Sequence, residues 1–552
     1  MMRRSVVRRL SNIPRFSWML GRSREQLQQA RPAVSADALL EAAGDVVRWT
    51  PLSVAALRDL ARDLADGREA QGLRLMTLCE DFVDDADPDA FVSAGTTVRV
   101  VKVRKNGTLV VALPRAAGRR LLLTVKESDV KPKSRQDWST DDVCAFYVVA
   151  ETLRSRAVFV DLLERAEVGE PFQGAFVIHP RLGKFQDLVH AIVSYYERLR
   201  TPLEQQFVWL DVLCANQVQL RSNGADLDTK EARQRRARLL KFDMHAAIAR
   251  FNECLVFFES WGAPTALSRM WCIWEMLGAI EVSKAPSIIM PPGADQEGLL
   301  ELVKSKSGRS DIAAGIGGID FGQAFCASQD DRTVITGFAA TLPRGIAGVN
   351  AKVTGHVRQH LKLALVKLGS EQHRAQGDSK NMSRLFYKIA QILEGETFLS
   401  DALHFYRESL RMRRSCGEHD ETNPNLLTTR YHIAHVLQLQ GDFDGALRVF
   451  KEVLAIEEDQ FGETNLSVLK TKFQIGVVLH LKGEFELSRA YFEDVLAQRE
   501  AQLGPDHKDC IAARYQLALV LTDKGDKRAA LEHFRKVFNS SNGSLFGALD
   551  DQ

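Results

Sequence analysis

YHIAHVLQLQGDFDGALRVF, residues 431–450, decides the fold, because the chain repeats its arrangement at a fixed step. It returns as FQIGVVLHLKGEFELSRAYF at 473–492 and YQLALVLTDKGDKRAALEHF at 515–534, with a looser copy, YKIAQILEGETFLSDALHFY, at 387–406. The steps are 44, 42 and 42 residues. In each copy an aromatic residue (Tyr387, Tyr431, Phe473, Tyr515) is followed three positions later by a small one (Ala390, Ala434, Gly476, Ala518). A second small residue (Ala402, Ala446, Ser488, Ala530) is followed four positions later by Tyr406, Phe450, Phe492 or Phe534. Gly441, Gly483 and Gly525 punctuate the space between the two sets. Small residues let two helices approach closely, and an aromatic four residues on lies on the same helical face and fills the space beside them. Each copy therefore predicts a helix pair. A single pair cannot bury its apolar face, so about four must stack into an α-solenoid over 380–540 that leaves one concave side open.

This pattern resembles tetratricopeptide repeats. The 42-residue period, with Phe461-Gly462 and Leu503-Gly504-Pro505-Asp506-His507 in the linkers, is similar to the longer kinesin-light-chain type. The resemblance implies a groove that binds a protein or peptide partner. The alternative is an array docked against its own chain. A role as cargo adaptor of a kinesin motor rests on repeat type alone, because the chain lacks the heptad coiled coil through which light chains join heavy chains.

The rest of the chain is of ordinary globular composition. It has 552 residues, 45% hydrophobic and 26% charged, enough for three or four domains. Lys and Arg total 73 against 71 Asp and Glu, so a net charge of +2 gives no overall field for steering toward nucleic acid or membrane. No apolar run is long enough to span a bilayer. The eight cysteines are scattered without a CxxC pair, which argues against a disulfide framework or structural zinc and for a reduced, cytoplasmic setting. Residues 1–35 read as a basic tail or targeting segment: Met1 to Arg24 carries seven arginines and no acidic residue. That segment resembles an organellar transit peptide, which makes a mitochondrial or plastid location the alternative.

Between these ends, residues 36–90 read as helical, with Leu57, Leu60 and Leu64 at helical spacing. Residues 91–133 switch to period two: Val98, Val100 and Val103, then the hairpin signal Lys105-Asn106-Gly107, then Leu109, Val111 and Leu113, and after Ala117-Gly118 the run Leu121, Leu123, Val125. Such strands suit a small SH3-like β-barrel. Its arginines 99, 104, 115, 119 and 120 read as a solvated rim, since the strands carry almost no aromatic platform for single-stranded bases. Nucleic acid is not the expected partner.

From 138 to 368, with a core at 175–292, short apolar runs alternate with helical stretches, the mark of a parallel sheet covered by helices. Strands are expected at Ala175 to Ile178, Phe207 to Leu210, Cys254 to Phe258 and Ser287 to Met290, with helices at 184–199, 232–251 and 268–282. A ligand crevice would lie at the strands' C-terminal ends, near His179, Asp211 and Glu259. The string Phe207-Val208-Trp209-Leu210-Asp211-Val212-Leu213-Cys214-Ala215-Asn216-Gln217 resembles the signature of fungal heterokaryon-incompatibility (HET) domains, and Ser268-Arg269-Met270-Trp271-Cys272-Ile273-Trp274-Glu275-Met276 resembles the SxxWCxxEL helix of Toll/interleukin-1 receptor (TIR) domains. Ala247-Ile248 stands in the place of a further TIR helix. The resemblance implies a flavodoxin-like fold. It also implies that Glu275 would be the catalytic carboxylate for cleaving the nicotinamide–ribose bond of NAD, with His179, Arg181, Asp211 and Trp271 lining the nucleotide site. A carboxylate suits that chemistry, because glycosidic cleavage passes through an oxocarbenium-like state.

Ile178-His179-Pro180-Arg181 departs from the polar loop that relatives carry after the first strand, which favours an assembly module without chemistry, and Glu275 would then pair with Arg181 or Arg269. His179 has no second ligand at metal spacing, and the glycine-rich run at 315–322 lacks the lysine and hydroxyl of a phosphate loop. The sequence thus describes a multidomain α and α/β protein: helical N-terminal region, SH3-like barrel, TIR-like parallel sheet and tetratricopeptide solenoid. Its favoured role is a signalling scaffold that binds a protein partner and self-associates through the TIR-like domain; the alternative is an NAD hydrolase regulated by the repeats.

Overall fold

The structure, a computed structural model, describes residues 51–66, 75–78, 82–84, 87–92, 97–103, 108–112, 122–126, 130–148, 160, 163, 167–214, 244–327, 329–375, 379–415 and 420–540. The N-terminal tail read over 1–35 lies outside them. The chain is mostly helical and divides into two compact units, Met1–Glu301 with Ser310–Leu361, and Leu302–Arg309 with Lys362–Gln552.

In the first unit β1 (Leu52–Ser53) runs into helix α1 (Val54–Asp66), where the Ser53 hydroxyl caps the first turn by accepting from the Ala56 N–H at 3.1 Å. Leu57 and Leu64 are buried along its inner face. The reading of 36–90 as helical is met by α1 and corrected from 75 on by β2 (Leu75–Leu78), β3 (Phe82–Asp84) and β4 (Asp87–Val92), while 36–50 and 67–74 lie outside the described residues. Pairing decides, since β2 lies between two antiparallel neighbours that satisfy both its edges, and β3 pairs antiparallel with β4. Strands β5 (Thr97–Val103), β6 (Thr108–Ala112), β7 (Leu122–Lys126) and β8 (Val130–Pro132) complete a five-stranded antiparallel sheet of order β7-β6-β5-β2-β8. The boundary expected at 91 therefore falls inside this β region. The break in alternation after Val100 is a register shift against β6 between Val100 and Lys102, a bulge.

The second sheet holds β9 (Ala175–Ile178), β10 (Phe207–Trp209), β11 (Glu253–Phe257) and β12 (Ser287–Ile289) in the order β1-β10-β9-β11-β12. All four pair in parallel, and β1 closes the edge antiparallel to β10. Every residue of β9 is buried, as a central parallel strand requires. Between the strands come helices α2 (Phe185–Arg198), α3 (Asp211–Cys214), α4 (Met244–Ile248) and α5 (Met270–Glu281). Strand order reverses at β9, so right-handed crossovers send α2 and α4 to opposite faces. Phe176 stacks on Trp209 at 4.8 Å, with Phe251 edge-on at 5.7 Å. The glycine-rich run begins inside a helix, Gly308–Gly317, and forms no phosphate loop.

In the second unit eight helices form four pairs: α6 (Ser379–Gly395) with α7 (Leu399–Ser415), α8 (Pro424–Leu439) with α9 (Phe443–Phe461), α10 (Leu466–Leu481) with α11 (Phe485–Leu503), and α12 (Lys508–Lys524) with α13 (Lys527–Asn539). The turn within each pair is fixed by a left-handed residue: Gly441, Gly483 and Gly525 have φ of 84°, 80° and 97°. In the first pair Thr397 takes that conformation at 65°, a strained choice for a β-branched residue. The next N–H reaches back to the helix in every case, Phe398 to the Leu393 carbonyl at 2.8 Å, Asp442 to Leu437 at 2.9 Å, Glu484 to Leu479 at 2.9 Å and Asp526 to Leu521 at 2.8 Å. Asn423, Asn465 and His507 cap the first helices through side chains that accept from the backbone two residues on.

Candidate functional site

The loops after β9, β10 and β11 share one edge of the parallel sheet, the C-terminal edge. After β9 the chain turns through Pro180, and a lead-in segment fixes the turn from behind. Ser139 and Asp142 form a capping box there, while the N–H groups of Asp141 and Thr140 donate to the Arg181 carbonyl at 2.8 Å and the Gly183 carbonyl at 2.9 Å. Three of the sequence-expected residues meet at this edge. His179 donates from Nε2 to Asp211 Oδ1 at 3.0 Å, and Arg181 Nη2 donates to Asp211 Oδ2. Arg181 also lies 3.9 Å from Asp141. Burial pushes the Asp211 carboxyl up, but the charge of Arg181 and the hydrogen bond from His179 outweigh it and hold Asp211 far below the carboxylate range. The Nδ1 of His179 is buried without a partner among the described residues. Glu259, also expected at the crevice, does not join them: it accepts from the Thr265 N–H at 3.1 Å and from the Thr265 hydroxyl, which makes it a loop brace.

Helix α5 brings Glu275 toward this network. The Cys272 thiol donates to the His179 carbonyl at 3.5 Å, tying the first turn of α5 to the β9 loop. Glu275 makes no hydrogen bond or ion pair with another described residue, because Arg181 is engaged by Asp211 and the Arg269 guanidinium stands over the Phe325 ring at 4.6 Å. Burial first, and then the Asp211 charge, push its carboxyl up to about 8, against a smaller opposing effect of Arg181. Trp271, one turn earlier, is half-buried on the same side of the helix. Behind α5, Gly278 admits the ring of His245, which stands 3.1 Å by Nε2 from the Trp274 carbonyl; burial lowers this histidine to about 4 and keeps it neutral. Among the described residues no His, Cys, Asp or Glu group could hold a metal ion.

In the solenoid each repeat closes on the aromatic pair read from the sequence. Tyr387 meets Tyr406 at 5.7 Å, Tyr431 meets Phe450 at 5.4 Å, Phe473 meets Phe492 at 5.4 Å and Tyr515 meets Phe534 at 5.8 Å, all edge to face. Ala390, Ala402, Ala434, Ala446, Ala518 and Ala530 are buried between the helices of their pairs, and a Cβ on Gly476 would stand 3.0 Å from the Phe492 ring. First helices of successive repeats also touch directly, α8 with α10 and α10 with α12. Lys470 stands over the Tyr431 ring at 4.5 Å and His480 bonds Asp523 at 2.7 Å, both between successive first helices. Leu439 and Leu481, 42 residues apart at the ends of α8 and α10, are exposed.

One cluster escaped the sequence reading. The Glu394 carboxylate accepts from the Tyr406 hydroxyl at 2.5 Å, from His435 Nδ1 at 2.6 Å and from His432 Nδ1 at 3.1 Å. Burial raises it, but the hydrogen bonds of the two histidines prevail and hold it well below its usual range. These partners lie 12 to 41 residues from Glu394 along the chain, and only Tyr406 belongs to the repeated pattern.

Models of the tetratricopeptide repeat match residues 466–541 and 426–458. No curated protein matches the chain. Among solved structures it is similar to the nearly identical TPR-like repeats assigned to a kinesin light chain of Podosopora anserina, at 15% identity over 34% of this chain and 88% of that one, TM-score 0.30. BtubC (BKLC) from P. vanneervenii matches at 15% identity over 46% and 93%, TM-score 0.30. The apo form of RapI matches at 16% identity over 34% and 67%, TM-score 0.29. No described helix is long and apolar enough to cross a membrane. The C-terminal part of the chain is a solenoid of tetratricopeptide repeats.

Proposed function

We propose that the chain is an interaction scaffold whose solenoid holds an extended or helical peptide of a partner protein along its first helices. The observation that carries this is the direct contact of successive first helices. Such contact supports first helices on the shorter, inner side of the curve, where the exposed Leu439 and Leu481, beside the pair His480 and Asp523, would offer an apolar ridge. The test is to select peptides from a displayed library on the full chain and measure each against the Leu439→Glu/Leu481→Glu double variant. At least tenfold weaker binding to the variant is expected. Equal binding of all selected peptides refutes the groove.

A second reading, favoured by the lone Glu275 carboxyl, is that the α/β unit (138–368) is a TIR-like domain that cleaves NAD, or associates with its copies, at the edge built by His179, Arg181 and Asp211. The flavodoxin-like strand order supports the resemblance. Asp211 spends its charge on Arg181 and His179, which leaves Glu275 as the group free to change protonation, the separation of two nearby carboxyl groups that acid and base roles require. In its ionised form Glu275 would stabilise an oxocarbenium-like ribose. Nicotinamide release is followed with concentrated protein, since clustering is part of this reading. Release lost in Glu275→Gln supports it; no release at any concentration leaves the α/β unit as an assembly module.

A further inference from the structure

Helix α13 is the last described helix, and its outer face keeps the apolar pattern of a covered helix while reversing its charge. In each internal step before it the second helix of a repeat is covered by the first helix of the next, and the last two steps share one arrangement. Leu447 and Leu454 on α9 are each 7% exposed and Leu496 on α11 is 8%, the last packed among Cys510, Ala513 and Leu517 of α12. A lysine at the end of the covering helix then reaches an acidic residue in the first turn of the covered one, Lys482 to Asp444 at 2.8 Å and Lys524 to Glu486 at 2.5 Å. Carried forward by the 42-residue step, Leu447 corresponds to Leu531 through Arg489, Leu454 and Leu496 correspond to Phe538, and Asp444 and Glu486 correspond to Arg528. Leu531 is 51% exposed and Phe538 82%. Arg528, Leu531, Arg535 and Phe538 fall three and four apart, so they share one helical face, and neither arginine forms an ion pair among the described residues.

We propose that this face takes an amphipathic helix of a partner protein, about as long as the first helices here, with apolar residues over Leu531 and Phe538 and an acidic residue in its last turn opposite Arg528. The internal steps supply the geometry and the reversed charge supplies the partner's chemistry. A second copy fits poorly, because α10 and α12 end in Lys482 and Lys524, which would meet Arg528 with like charge, and α8, which covers α7, ends in Leu439 and Gln440 and brings no acid to it. This site is separate from the groove of the first helices.

The test uses the full chain at low salt and two fluorescein-labelled 17-residue helical peptides with leucines at alternating three- and four-residue spacing, one ending its last turn in glutamates and the other in lysines. Fluorescence anisotropy is expected to show the glutamate peptide binding at least tenfold more tightly. Arg528→Glu should invert that preference, and Phe538→Asp should weaken both peptides tenfold or more. Because both positions are exposed, circular dichroism should show helix content unchanged. The Leu439→Glu/Leu481→Glu variant should bind as the wild type does. A preference that survives Arg528→Glu overturns the proposal. So does a tenfold gain in affinity on deleting residues 541–552, which would make that segment the occupant, or a dimer in sedimentation that Phe538→Asp dissolves, which would make it a second copy.

Discussion

Replacing Glu275 by glutamine should stabilise the α/β unit, and only above the pH at which the unfolded carboxyl ionises. The folded protein holds this carboxyl at about 8 against an ordinary 4.5, chiefly through burial and then through the Asp211 charge. Below 4.5 both states are protonated and the side chain costs nothing. Between 4.5 and about 8 the unfolded chain binds fewer protons than the folded one, so stability falls as pH rises, and above about 8 the whole penalty is present. Taking 1.36 kcal/mol per pH unit over that interval gives about 5 kcal/mol, and water reaching the partly exposed side chain reduces it to about 2–3 kcal/mol. Glutamine has nearly the same shape and no charge, so Glu275→Gln should gain that amount at pH 8.5 and nothing at pH 4. All seven tryptophans precede residue 275, so urea unfolding followed by tryptophan fluorescence reports the α/β unit without the solenoid. Parallel stability curves for the two proteins from pH 4 to 9 would refute the reasoning. A gain in stability joined to a loss of nicotinamide release would identify Glu275 as a group kept at a cost to stability for its chemistry.

Thr397→Gly should raise solenoid stability by about 1 kcal/mol, because glycine accepts the 65° φ without strain; thermal unfolding by circular dichroism of the solenoid transition measures it, and a loss would show that the methyl and hydroxyl matter more. Gly278→Ala should destabilise the α/β unit by about 2 kcal/mol, since the added Cβ would stand 2.2 Å from the His245 ring, and tryptophan-monitored unfolding tests it. Glu394→Ala strands Tyr406, His432 and His435 and should cost the solenoid about 2–3 kcal/mol at pH 7. The Glu394 carboxyl is depressed, so its contribution is present above 4.5 and lost as pH falls toward its folded value; the wild type and the variant should converge in acid, and a constant gap would refute the assignment.

The solenoid was legible because its packing is written at fixed spacing: Tyr431 and Phe450, 19 residues apart, meet in one repeat and their counterparts meet in the others. The parallel strands were legible for a related reason, since a strand such as Ala175–Ile178, buried throughout, shows as an unbroken apolar run. Residues 75–92 were not, because two antiparallel neighbours, and no local propensity, make Leu75–Leu78 a strand. Thr397 hid in the one repeat whose turn lacks glycine, although the 44-residue step from Gly441 marks it. At the candidate site the sequence brought His179, Arg181 and Asp211 to one edge but could not say who pairs with whom. That pairing decides the chemistry. Had Arg181 gone to Glu275, the helix glutamate would be an ordinary charged brace; with Arg181 held by Asp211, Glu275 is left as a half-buried carboxyl with no ion-pair partner among the described residues. The single substitution that separates these cases is Asp211→Asn. It frees Arg181 and removes the neighbouring negative charge, so it should bring the Glu275 titration down from about 8 and shrink the stability gain of Glu275→Gln measured in its background. An undiminished gain would mean that burial alone sets the Glu275 titration and that the edge network has no hold on it.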